Sequence, residues 1–356
     1  MKKYYEYFVT FSRGFEIFLE DELKKLNVSY EFRDGKVIIR SDKEIAHSLV
    51  KLDFSEREFI LISEKQIEEE LNRENLVENF QNFMSEINLE EKLDAFLLKN
   101  HSELSKRHKT SHNIQLFVKL RPKFLIRHTE RIRKIFYNAF PNVNFSEQNE
   151  NQLSFILSNN CFYVLLLLKN SFSNRIRNQS NLPLRRNTCL ALLSKLKPGK
   201  FLLDPFVGNG GIINCSLDKD KFTFTFLCDC NQELLLRLGQ SLKFSNLGII
   251  QCSATNIPLR SGTIDAICTD FPFNIKHVIK HEKETNLVKF YKACFSEFHS
   301  CLSKFGQYSV LLSKEGFEQS KDEIIASTPL LKDGLSFKTD LKLGKTSAKM
   351  LFGHRL

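Results

Sequence analysis

From residue 186 to residue 313, short apolar runs alternate with stretches of helical periodicity, and that alternation leaves few folds open. "PGKFLLDPFVGNGGIINCSLDKD" reads as strand, glycine loop and helix. "FTFTFLCDCN" is a strand ending at Asp229, and "QELLLRLGQSLKFSNLG" is a helix closed by Gly248. "IIQCSATNIPL" and "IDAICTDFPF" are strands with loops, "NLVKFYKACFSEFHSCLS" is a helix and "GQYSVLLS" a strand. Strands separated by helices call for crossover connections, so a doubly wound, mostly parallel sheet is expected. Such sheets hold ligands beyond the carboxyl ends of their strands. Three loops there carry residues capable of chemistry: 204 to 211, the turn at 229, and 270 to 274.

In the first loop, Gly208, Gly210 and Gly211 let the backbone pass close to a ligand, and Asp204 precedes them. No Lys-Ser/Thr pair follows, so the loop lacks the phosphate grip of a P-loop. An acid beside the glycines suits a cationic or amino-bearing ligand better than a pyrophosphate. Asp229 ends the next strand about 20 residues beyond the glycines, where nucleoside-binding α/β proteins set an acid against ribose hydroxyls. Ser253 and Ala254, in the loop after the following strand, complete the candidate cofactor contacts.

The first half reads differently. "YYEYFVTFSRG" alternates like a strand, "FEIFLEDELKKLN" has helical spacing, "KVIIR" is a strand and "DKEIAHSLVKL" a helix, a β-α-β-α opening. Residues 64 to 110 are polar, acidic and rich in Asn, compatible with helix, and read as an insert or mobile linker. "NIQLFVKL", "QLSFILS" and "CFYVLLLL" are strands, and "RHTERIRKIFYNAF" is a helix ended by Pro141. Two domains are expected, 1–180 and 181–356. Charge divides the first: residues 51 to 100 carry net −7 and residues 101 to 186 net +11, out of +10 for the whole chain. In the basic stretch aromatics interleave with Arg121, Lys123, Arg127, Arg131, Lys134, Arg175, Arg177 and Arg185. That is the footprint of a surface that tracks phosphates.

Composition closes other doors. No run of about 18 apolar residues exists, so no membrane helix is expected. The amino terminus does not read as a signal peptide. The nine cysteines include no Cys-x-x-Cys pair and mostly lie in apolar runs, the usage of reduced thiols in an intracellular protein. His277 and His281 stand four apart without a third ligand, and no metal is expected.

"LLDPFVGNGGIIN", "CDCN" and "DAICTDFPFN" resemble S-adenosyl-L-methionine-dependent methyltransferases that modify exocyclic amines of bases. Their [D/N]-x-P-[F/Y] loop is matched by Asp270, Pro272 and Phe273. "TFSRGFEIFLEDEL", "LPLRRNTCLALLSKL" and "LKLGKTSAKMLF" narrow the likeness to THUMP-domain RNA guanine-N2 methyltransferases, closest to the branch acting on U6 small nuclear RNA, with sister branches acting on tRNA. The resemblance implies an α+β THUMP-type RNA-binding region with a ferredoxin-like start, then a Rossmann-like methyltransferase domain. It also implies S-adenosyl-L-methionine as cofactor, N2-methylguanosine as product and a small activating partner subunit. The setting would be the nucleus for U6 RNA and the cytoplasm otherwise. Val207, Gly211, Arg186 and Asn274 depart from the family pattern.

The acid, proline and ring of "TDFPFN" suit that chemistry. The guanine N2 lone pair is delocalised into the ring, so the amine is a poor nucleophile. The Asp270 carboxylate and the rigid carbonyls beside Pro272 can accept its N–H groups and favour the charge that develops on nitrogen. Phe273 offers a face for stacking, about 1–3 kcal/mol per base. An adenine-N6 methyltransferase uses the same logic, and an RNA-binding relative without catalysis is the remaining alternative.

Overall fold

The computed structural model describes residues 5–72, 74–87, 113–121, 123–140, 144–145, 152–170, 184–242, 246–273, 287–344 and 346–356. The chain forms two compact units: Met1–Phe11 with Asp21–Arg175, and Ser12–Glu20 with Ile176–Leu356.

The first unit is built on one eight-stranded sheet. In chain order its elements are β1 (Tyr5–Thr10), helix α1 (Glu16–Leu26, of which residues 16–20 belong to the second unit), β2 (Ser29–Arg33), β3 (Lys36–Ser41), α2 (Ala46–Leu49), β4 (Arg57–Gln66) and α3 (Leu76–Ser85). There follow β5 (Asn113–Leu120), a 3-10 turn (Lys123–His128), α4 (Thr129–Ala139), β6 (Asn144–Phe145), β7 (Gln152–Ser158) and β8 (Cys161–Asn170). The strand order is β2-β3-β1-β4-β8-β7-β5-β6. β7 and β8 pair antiparallel from Leu153↔Leu166 to Ser158↔Cys161, whereas β5 runs parallel to β7 and β6. On one face α3 and α4 pack Phe80, Phe83 and Phe136 against Phe155 and Phe162, with centroids 4.6 to 5.9 Å apart. Phe8, Ile38, Phe59, Tyr163 and Leu165 form a separate cluster. Tyr163 is the strand neighbour of Phe162, as the two-residue period of a strand requires.

Two expectations change here. The stretch read as a polar insert from residue 64 begins inside β4, a central strand paired with both β1 and β8. The helix that stretch allows is present as α3, but its Leu76, Val77, Phe80, Phe83 and Met84 are buried, so it belongs to the core of the unit. The charged residues around them lie on the exposed side. Residues 88–112 fall outside the described residues. The opening is also not a simple β-α-β-α series: β2 precedes β3, and α2 is a single turn.

The second unit holds α5 (Arg186–Ser194), β9 (Gly199–Asp204), α6 (Gly211–Lys219), β10 (Phe222–Asp229), α7 (Gln232–Ser241), β11 (Leu247–Gln251) and β12 (Ile264–Asp270). After these come α8 (Leu287–Cys301), β13 (Leu302–Ser313), α9 (Lys314–Glu318), α10 (Lys321–Ser327), α11 (Pro329–Lys332), β14 (Leu335–Leu343) and β15 (Thr346–His354). The order is β11-β10-β9-β12-β13-β15-β14, with all strands in one direction except β15, which runs antiparallel to both β13 and β14. This is the Rossmann-like, doubly wound sheet expected. Alternation along β10 shows how it is covered. Leu227 joins Val207, Ile213, Leu235 and Leu238 from the α6–α7 side. Cys228 joins Phe271, Tyr291, Phe295 and Phe298 in the cluster built on α8. The early segment belongs to this unit too: Lys342 donates its N–H to the Arg13 carbonyl at 2.9 Å, and the Lys195 ammonium lies between the Phe18 and Phe337 rings at 5.1 and 4.9 Å.

The helix read as running to Gly248 ends at Ser241, and Gly248 lies in β11 opposite Phe226. A Cβ there would sit 3.1 Å from the Phe226 ring, so a bare backbone lets β11 approach β10 past two rings. Among the described residues no helix is long and apolar enough to cross a membrane.

Candidate active site

The strand order reverses between β9 and β12: β10 and β11 lie to one side of β9, β12 and β13 to the other. The crevice beyond the carboxyl ends at such a switch point is where doubly wound sheets bind ligands. Asp204 is the last residue of β9, Asp229 of β10 and Asp270 of β12, so the fold brings all three acids to that edge.

Asp204 is 2% exposed. Its Oδ1 accepts from the Thr269 hydroxyl at 2.6 Å and from the Phe206 N–H at 3.2 Å. The acid thus supports the glycine loop from below and clamps β9 to β12. Burial pushes its carboxyl up to about 7; the two hydrogen bonds pull it down and the charge of Asp229 adds to the rise. Sequence reasoning misses Thr269 because its partner lies 65 residues away. Its only local signal is a hydroxyl inside an otherwise apolar strand.

The loop itself turns on left-handed residues. Gly208 has φ +49 and Gly210 φ +77, conformations that side chains resist. A Cβ on Gly210 would come 2.6 Å from Leu238 Cδ1. Gly211 opens α6, and Val207 fills the α6–α7 core cluster. Asp229 closes the loop from the next strand: its Oδ2 accepts the Gly208 N–H at 3.1 Å and its Oδ1 the Asn231 N–H at 2.9 Å. Asn231 caps α7 by accepting from Glu233 and Leu234 N–H, a second residue that sequence reasoning misses. Ser253 and Ala254 follow β11. Cys252 N–H bonds the Asp229 carbonyl at 3.1 Å, which fixes that turn beside Asp229. Ala254 is buried, and Ser253 is exposed with its hydroxyl 2.8 Å from that of Thr255.

Asp270 differs from the other two acids. Its Oδ1 is buried and makes no hydrogen bond among the described residues. Burial pushes its carboxyl up to about 8, with the charge of Asp204 adding to the rise. The two phenylalanines of "TDFPF" divide their labour. Phe271 is core, 1% exposed, with rings of Phe206, Tyr291, Phe295 and Phe298 at 5.0 to 5.8 Å. Phe273 and Pro272 are half-buried. Asn274 lies outside the described residues, as do His277 and His281.

Of the basic residues singled out, Arg121, Lys123, Arg127, Arg131 and Lys134 lie in the first unit and are all exposed. Arg127, Arg131 and Lys134 follow helical spacing across the turn into α4, so they share one side of it. Exposed Ile126 and Tyr137 lie on the same segment. Arg185 is in the second unit, immediately before α5. Arg175 and Arg177 fall outside the described residues.

These residues suit an S-adenosyl-L-methionine molecule. Gly208 has near-open space where a Cβ would stand, Asp229 ends the strand beside β9, and the donor set is acidic, which fits a ligand with a sulfonium and an ammonium. The orphaned Oδ1 of Asp270 marks where a further polar partner belongs.

No family model matches the chain. A mouse protein, U6 snRNA (guanine-N(2))-methyltransferase THUMPD2, is 27% identical over 157 residues. The match covers 43% of this chain and 28% of the mouse protein, so the chain aligns with little more than a quarter of that relative's length. Among solved structures, TrmN from Thermus thermophilus aligns over 99% of this chain and 100% of its own, with TM-score 0.67 and 15% identity. SMU.472, assigned as a methyltransferase and solved with SAH, aligns over 100% and 99%, with TM-score 0.64 and 13% identity. The chain is similar in sequence to the mouse methyltransferase over part of its length, and it shares the fold of these solved structures.

Proposed function

We propose that this protein is an S-adenosyl-L-methionine-dependent RNA methyltransferase that forms N2-methylguanosine, with U6 small nuclear RNA or a tRNA as substrate. The observation that carries the reading is Asp270 at the carboxyl end of β12, beside the switch point, with a buried and unpartnered Oδ1 followed by half-buried Pro272 and Phe273. The mouse relative's activity supports the choice of guanine N2 and of U6 RNA. A nuclear setting and a small activating partner subunit go with that choice.

Asp204 to Gly211 would hold the methionine portion of the cofactor, Asp229 the ribose, and Ser253 with Ala254 the adenine. When bound, the cofactor supplies an electrophilic methyl group on a sulfonium sulfur. Asp270 and the carbonyls beside Pro272 accept the N–H groups of the target amine, which frees its lone pair for in-line attack. Phe273 stacks the base. A base inside a duplex cannot reach this edge, so the target is unpaired or flipped. The exposed row of Arg127, Arg131 and Lys134 contacts phosphates.

Single-turnover methylation with saturating cofactor, followed by nucleoside analysis, tests this. Wild type yields N2-methylguanosine, and Asp270→Ala turns over about 100-fold more slowly or worse while RNA affinity stays within a few fold. Phe273→Ala impairs RNA binding and turnover together, and Phe273→Tyr is mild. N6-methyladenosine as product would replace guanine by adenine as the target. An Asp270→Ala protein with wild-type rate would show that "TDFPF" is only a buried turn.

A further inference from the structure

The acid cluster poses a problem for the role just assigned to Asp270. An acceptor of two N–H groups should be a carboxylate, yet the fold holds this side chain where the charged form is disfavoured. Its Oδ1 is buried without a partner. Asp204 ends the adjacent strand β9, hydrogen-bonded to the neighbouring Thr269, and its charge opposes that of Asp270; Asp229 ends β10 and opposes the charge of Asp204 in turn. On the α5 side the titratable neighbour is the buried Cys189 thiol, and on β13 the neighbour in register is Leu311. Tyr291 of α8 packs its ring on Phe271. Among the described residues no lysine, arginine or histidine acts on Asp204 or Asp270. The site gathers negative charge that nothing among those residues neutralises.

We propose that the Asp204–Asp270 pair keeps a proton in the free protein and exchanges it for the sulfonium charge of the cofactor, so that the site distinguishes S-adenosyl-L-methionine from its uncharged thioether product, S-adenosyl-L-homocysteine. This rests on the function proposed above. The two ligands share their ammonium, carboxylate, ribose and adenine groups and differ by one methyl and one positive charge. A cation entering beside a buried acid favours its ionised form; a thioether in the same place does not. Cofactor binding therefore produces the carboxylate that the target amine needs; when the S–CH3 bond breaks and the N–CH3 bond forms, the proton shed by the amine passes to the pair, and the thioether left behind is held without the attraction between sulfonium and carboxylate.

The magnitude follows from the position of Asp270 near 8. An opposite charge within ~4–6 Å draws a carboxyl down by roughly 1–3 pH units. At pH 7 that corresponds to release of about 0.4 to 0.9 proton on cofactor binding, and to affinity rising between about 2- and 8-fold from pH 6 to pH 7. The test is calorimetry on the full chain at pH 7 in two buffers of different ionisation heat, titrating S-adenosyl-L-methionine and S-adenosyl-L-homocysteine separately. The expected result is proton release in that range for the first ligand and less than about 0.2 for the second, with Asp270→Asn cutting the first value by half or more. Equal proton counts for the two ligands, no release with the sulfonium ligand, or full release in Asp270→Asn would each overturn the exchange while leaving methyl transfer standing. Failure of the folded wild-type chain to bind either ligand would instead overturn the cofactor reading, and the exchange with it.

Discussion

Thr269→Val removes one hydrogen-bond donor from the clamp between β9 and β12 at nearly constant shape. The Thr269 hydroxyl stands 2.6 Å from Asp204 Oδ1, and both residues are almost fully buried, at 0% and 2% exposure. A buried acceptor that loses its donor keeps its desolvation cost without the compensating bond. The loss is about 0.5–1.5 kcal/mol when the acceptor is neutral and about 1.5–3 kcal/mol when it is charged. Which value applies depends on pH. The Asp204 carboxyl is raised to about 7, above its unfolded position, so the folded state binds this proton more tightly than the unfolded chain does. Stability from that tighter binding is fully present below the unfolded value near 4 and is lost as pH rises through about 7. At pH 5.5 the variant therefore loses a bond to a neutral acid, and at pH 8.5 a bond to a carboxylate. Losing the hydroxyl also pushes the Asp204 carboxyl further up.

The expected outcome is a destabilisation that grows by about 1 kcal/mol or more between pH 5.5 and pH 8.5. Urea denaturation of both proteins at the two pH values, with thermal melts as a check, measures it. A penalty equal at both pH values, or larger at pH 5.5, would refute the idea that Asp204 ionises inside the fold and that Thr269 stabilises the ionised form.

Asp229→Ala takes the acceptor from Gly208 and Asn231 N–H and from the expected ribose contact, so cofactor affinity should fall by roughly 1–3 kcal/mol in a calorimetric titration. Gly210→Ala forces a side chain into a φ of +77 and against Leu238, and should cost about 1–3 kcal/mol of stability in the same urea assay. Charge reversal at Arg127, Arg131 and Lys134 should weaken RNA binding in a filter assay. The salt dependence should become shallower by about one unit of slope for each phosphate no longer engaged, with cofactor affinity unchanged.

How far the sequence can be read depends on how local each signal is. The strands and helices of the second unit follow from apolar spacing within single segments, and the glycine loop follows from three residues. β2 escapes because "SYEFR" is short and its apolar face consists of Tyr30 and Phe32 alone. The end of β4 looks like polar linker because Glu64 and Lys65 are charged. They are charged for a reason that lies elsewhere in the chain: Glu64 pairs with Arg33 and Lys65 with Glu86. The helix before β11 reads too long because Gly248 resembles a helix stop, when it is the residue that lets β11 pass Phe224 and Phe226.

The active-site acids show the deeper version of the same limit. "DPFVGNGG", "CDC" and "TDFPF" identify which side chains can reach a nucleoside cofactor and an amine, because that is a matter of residue type and place on a strand. They do not reveal that Asp204 is tied through its Oδ1 to the Thr269 hydroxyl and the Phe206 N–H, since that depends on a strand 65 residues away. Nor do they reveal that Asp270 is poised near neutral pH, since its charge state is set by burial and by an acid on another strand. An isolated Asp is ionised well below pH 7. Only the fold makes the proton on this one available for exchange, and so only the fold turns a familiar motif into a site whose affinity for its cofactor should change with pH.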